Sequence, residues 1–76
     1  MASVPRITAA EAKRAFGRAG FIESRTGKGH SILEKDGHRY HLSIPNHKGR
    51  TLGLGLLKSQ IDAAGLTVDQ FIDLLK

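Results

Sequence analysis

Four histidines, at positions 30, 38, 41 and 47, crowd the middle of this 76-residue chain, and the first of them sits in the stretch GKGHS at 27–31. Imidazole can ligate a metal or move a proton near neutral pH. Metal binding is not expected from the spacing. His38 and His41 are three apart in a stretch that reads as a strand, so their side chains point to opposite faces. The chain has no cysteine, and no carboxylate stands at an H-E-x-x-H spacing. No nucleophile elbow is present, and GKGHS lacks the longer G-x-x-x-x-G-K-[ST] of a phosphate-cradling loop. The glycines of LGLGL at 52–56 suit either a phosphate near a helix N-terminus or an ordinary loop-to-helix turn. What remains is a histidine between glycines, with basic neighbours. Such a group can take the 2′-hydroxyl proton of RNA or protonate the departing 5′-oxygen, while Lys and Arg neutralise the developing charge. A solvated surface histidine is the competing explanation of the same residues.

The charge distribution bears on that choice. The net charge is +5 at pH 7. Residues 1–22 and 23–50 each carry +3, and residues 51–76 carry −1. A positive field over the first two thirds fits a polyanion such as nucleic acid, and it also fits plain solubilising charge. The length allows one domain over 1–76 with a modest core. With no cysteine there are no disulfides. No apolar run reaches about 18 residues and the start lacks the hydrophobic segment of a secretory signal, so a soluble cytoplasmic protein without a membrane partner is expected.

The elements that must position these residues are legible from periodicity. Thr8 and Glu11 have the spacing of a capping box, and Ala12, Ala15, Phe16 and Ala19 form one apolar stripe that ends at Gly20. Lys13, Arg14 and Arg18 lie off that stripe and are expected on a basic outer face. FIESRT begins a strand, and HSILEKDGHRYHLSI reads as two more joined at Asp36-Gly37, a turn requiring positive φ at both positions. Tyr40, Leu42 and Ile44 alternate and are expected to share the buried face. Pro45 ends the ladder. After the glycine-rich PNHKGRTLGLG, Leu54, Leu57, Ile61 and Ala64 mark a second helix that stops at Gly65. Thr67 caps a short third helix with Val68, Phe71, Ile72 and Leu75 on one side. The result is an α+β fold, a three-stranded antiparallel sheet with helices on one face and the other left to water.

Taken together, the segments GKGHS, HLSIPNHKG, GLLKSQIDAAGLTVDQFIDLL and ITAAEAKRAFGRAGF resemble, in order and spacing, the HicA (YcfA-like) mRNA interferase toxins of type II toxin–antitoxin systems. The resemblance covers about residues 6–76. It implies a double-stranded-RNA-binding-like α-β-β-β-α fold with a short extra C-terminal helix. It also implies ribosome-independent cleavage of mRNA and neutralisation by a HicB-type antitoxin that covers the active site. By position, His30 matches the family's catalytic histidine. Lys28 and Gly29 stand where the family usually has glycine and serine, and Gln60 replaces an apolar residue, which is expected to weaken the core of the second helix.

On this reading the protein is a metal-independent endoribonuclease that needs no cofactor. His30 is its acid/base group, and Lys28, Arg25, Lys48 and Arg50 hold phosphate. His41 or His47 assists, and Lys13, Arg14 and Arg18 are further RNA contacts. A non-catalytic RNA-binding module on the same fold is the alternative. The start of the second helix carries Lys58 alone, however, where a duplex-RNA reader is expected to be lysine-rich. A protein-interaction domain using the acidic, apolar C-terminal helix is the third reading.

Overall fold

The computed structural model of the chain describes residues 3–27, 29–46 and 49–76. Its elements run α1 (Ala9–Arg18), β1 (Ile22–Gly27), β2 (His30–Glu34), β3 (Leu42–Pro45), α2 (Leu54–Ala63) and α3 (Val68–Leu75). The strands form one antiparallel sheet in the order β1-β2-β3. This is the expected α+β, double-stranded-RNA-binding-like arrangement. None of the described helices is long and apolar enough to cross a membrane.

Local signals set the helix ends. The Thr8 hydroxyl accepts from the Glu11 N–H at 3.3 Å, and the Glu11 carboxylate accepts from the Thr8 N–H at 3.0 Å. A second capping box joins Thr67 and Gln70 at the start of α3. Helices α1 and α2 both end with a glycine at positive φ, Gly20 at 103° and Gly65 at 78°. In each case two returning bonds satisfy carbonyls of the last turn: Gly20 to Gly17 and Phe21 to Phe16, then Gly65 to Asp62 and Leu66 to Ile61.

The tight hairpin lies at a different place from the expected one. Gly27 pairs with His30, so the chain turns tightly from β1 into β2, with Gly29 at φ 79°. At Asp36-Gly37 only the glycine has positive φ. That turn, closed by the His38 N–H on the Lys35 carbonyl at 3.0 Å, sits inside a longer connection over 35–41. The β2–β3 ladder ends at the Leu33–Leu42 pair. Tyr40 therefore lies beyond it and is 55% exposed, while Leu42 and Ile44 are buried as expected. His38 takes the inward place instead. Its Nε2–H donates to the Ala63 carbonyl at 2.6 Å, and its ring meets the Phe21 ring edge-on at 5.2 Å.

The core fills the space between the sheet's inner face and the helices, with Phe16, Leu42, Ile44, Leu57, Ile61 and Phe71 fully enclosed. The rings of Phe16 of α1 and Phe71 of α3 pack at a tilt of 44° with centroids 4.9 Å apart. Leu54 begins the α2 stripe but stays partly exposed. Gln60 does not act as a defect in the core. Its Oε1 accepts from the Ser43 N–H at 2.9 Å, meeting an amide on the outer edge of β3 that the sheet leaves unpaired.

The capping box gives two expectations. Thr8→Ala should lower the unfolding free energy by about 1 kcal/mol, seen as a lower urea midpoint with an unchanged slope. The Glu11 carboxyl is held below its ordinary value, first by the Thr8 backbone N–H and then by the Thr8 hydroxyl. Its contribution is complete above the ordinary carboxylate value of about 4.3 and is lost as pH falls through the lowered folded value. At low salt, the midpoint should therefore fall less on acidification below that value in Glu11→Gln than in the wild type.

Candidate functional site on the open face of the sheet

His30 opens β2 directly after the positive-φ Gly29, with Gly27 on one side and Pro45 on the other as its cross-strand partners. The faces follow from alternation. Ser31 and Leu33 are buried toward the helices, so His30, Ile32 and Glu34 stand on the opposite, open face. His30 is exposed.

Arg25 reaches this face because β1 is irregular. Ile22 pairs with Glu34 and Glu23 with Leu33, but the next pair is Arg25 with Ile32, leaving Ser24 as an extra residue. Without that bulge Ser24 would oppose Ile32, and Arg25 would oppose Ser31 and turn toward the helices. Bulges re-aim side chains in this way. Here the consequence is that Arg25 and His30 become diagonal neighbours on one face, a relation that spans about 7–8 Å between Cα atoms in an antiparallel pair.

The remaining predicted residues are distributed more widely. Arg14 and Arg50 are exposed. Arg18 caps α3, its Nη1 donating to the carbonyls of Leu74 and Lys76 at 2.6 Å each. Lys13 turns to the inner side of the sheet, with Nζ 3.4 Å from Ser31 Oγ and 3.9 Å from the Glu23 carboxylate. The expected basic outer face of α1 is thus divided three ways. His41 Nδ1 faces Glu34 Oε1 at 3.2 Å, both side chains being well exposed. His38 and His41 both lie in the 35–41 connection and not on a strand. Among the described residues, no three His, Asp or Glu side chains converge as a metal site would require. Lys28, His47 and Lys48 lie outside the described residues.

A set of polar groups that the sequence reading missed lies beneath the hairpin. Ser31 Oγ accepts from Asn46 Nδ2 at 2.7 Å and from Lys13 Nζ. Glu23 accepts from the Thr26 hydroxyl at 2.5 Å. The Thr26 hydroxyl, then the Ser31 hydroxyl, then Lys13 hold the Glu23 carboxyl below its ordinary value. The available signal was a serine at an inward position between a histidine and an apolar pair.

An exposed imidazole beside a guanidinium can exchange a proton with a bound ligand while a phosphate is held close by. Curated proteins provide no match to this chain. The family model for the HicA toxin of bacterial toxin–antitoxin systems matches residues 9–66, from the start of α1 through the end of α2, and the chain belongs to that family.

Proposed function

We propose that this toxin is an endoribonuclease that cleaves mRNA by histidine acid/base catalysis, without a metal or other cofactor. The observation that carries the proposal is the bulged register of β1, which sets Arg25 beside His30 on the open face of the sheet. In the proposed reaction His30 takes the proton from a 2′-hydroxyl as that oxygen attacks the adjacent phosphorus. The bond to the 5′-oxygen breaks, and the proton is delivered to that oxygen, leaving a 2′,3′-cyclic phosphate and a 5′-hydroxyl. Arg25 stabilises the charge on the non-bridging oxygens. Lys28, Lys48 and Arg50 extend phosphate contact along the strand, and Arg14 offers a further contact on α1.

Lys13 and Arg18 have a smaller part in this proposal than their charge suggests, since each already has partners within the fold. Lys58 is likewise paired with Asp62 at 2.6 Å, which does not favour a duplex-RNA reader using the start of α2. The proposed setting is the bacterial cytoplasm, with a HicB-like antitoxin covering the open face.

The test is cleavage of an unstructured RNA in EDTA. His30→Ala should reduce the rate by about 10²–10⁴, and a single 2′-deoxy nucleotide at the cut site should block cleavage there. Arg25→Ala should cost about 10–100-fold in kcat/KM, the value of a charge-assisted hydrogen bond. It should also lower the salt slope of RNA binding by about 0.7. RNA bound but left intact by the wild type would mean a non-catalytic RNA-binding module. Equal cleavage by His30→Ala would remove His30 from the mechanism.

A further inference from the structure

Ser31 is fully enclosed and is the one buried polar side chain among the described residues. Its neighbours on the inner face, Leu33 along β2 and Ile44 across on β3, are buried and apolar. A hydroxyl in such a row must be matched by partners, and Ser31 has them in Asn46 and Lys13. Asn46 Nδ2 approaches from the end of β3 and Lys13 Nζ from α1, and that ammonium also faces the Glu23 carboxylate of β1 at 3.9 Å.

The location gives these bonds a purpose beyond satisfying one hydroxyl. Strand β1 is exposed along its whole length, so burial does not select its register against β2. Glycines at 27 and 29 leave the hairpin tip permissive. A competing pairing is available in which the Ser24 bulge is lost. Arg25 would then sit opposite Ser31, on the side where Lys13 Nζ lies 3.4 Å from the serine oxygen. Two like charges would meet at a partly buried position. In the observed register Thr26 takes that place, and its hydroxyl bonds Glu23, the carboxylate that faces Lys13. Asn46 completes the arrangement by holding both residues that flank His30. Its N–H donates to the Gly29 carbonyl at 2.7 Å, and its Nδ2 donates to Ser31 at 2.7 Å.

We infer that the cluster of Ser31, Asn46, Lys13, Glu23 and Thr26 is a register lock, whose task is to hold the β1–β2 hairpin in the bulged pairing that presents Arg25 and His30 together on the open face. Ser31 and Asn46 are thereby positioning residues for the proposed nuclease site, and that part of the inference rests on the acid/base role of His30.

The test compares two isosteric variants of the full chain, Ser31→Thr and Ser31→Val. They share the added bulk and differ only in the hydroxyl. Cross-strand proton NOEs report the register, and RNA cleavage reports its consequence. Ser31→Thr should keep the Arg25–Ile32 contacts and cleavage near the wild-type rate. Ser31→Val should show Ser24–Ile32 contacts, or a mixture of the two sets, and a kcat lower by about 10–100-fold. Phe71→Leu, which weakens the core far from the hairpin, should leave the register contacts and cleavage intact. The same register and the same rate in both position-31 variants would overturn the lock. If neither folds, Asn46→Ala decides: loss of the Arg25–Ile32 contacts supports the lock, and their retention with full cleavage overturns it. If the wild type does not cleave RNA, the nuclease proposal fails, and the NOE comparison still decides the lock independently.

Discussion

An edge strand whose side chains are all exposed must still be paired in one register, and the geometry of the open face depends on that choice. In most hairpins a buried apolar row makes the selection, because a one-residue shift would carry it into water. Strand β1 has no such row. The most exposed large apolar residue on it, Ile22 at 72%, stands on the open face. Selection is left to polar chemistry on the inner side, where Glu23 and Thr26 of β1 meet Ser31 of β2 and Lys13 of α1. A network of this kind is directional where apolar contact is not, and a half-formed version leaves groups without partners.

The rest of the fold frees this face by closing everything else. The α1–α3 contact through Phe16 and Phe71 covers the inner side of the sheet. Arg18 spans from α1 to the last carbonyls of α3, where a cation also meets the negative end of the helix dipole. Gln60 meets an edge amide of β3, and His38 ties the 35–41 connection to the end of α2. Cationic and imidazole groups that would otherwise extend the basic surface are used as fasteners.

Helix ends and the helix-side core were open to sequence reading because their causes are local. Thr8 with Glu11, Thr67 ahead of α3, and glycines 20 and 65 each act within a few residues of themselves. The placement of His30 at the start of β2 was also legible, from the glycines before it and the alternation after it. The β2–β3 connection was misjudged because Asp-Gly suits several turn types, and whether its aspartate takes positive φ depends on strand length, which tertiary packing decides. Tyr40 fell outside the ladder for the same reason, since the Phe21 ring is met by His38. The partners of Ser31, Gln60 and Arg18 join residues far apart in the chain, and the Ser24 bulge interrupts the alternation of its own strand, so no single-sequence period encodes them.

Arg25 and His30 are proposed to form one contact surface, while Arg18 and His38 fasten the scaffold. An NMR titration of the wild-type chain with a short RNA made uncleavable by 2′-deoxy substitution addresses it directly. The His30 ring and Arg25 Nε signals should shift together and saturate at the same concentration, with the Arg18 Nε and His38 ring signals unmoved. Shifts centred on α1, with none at His30, would contradict it.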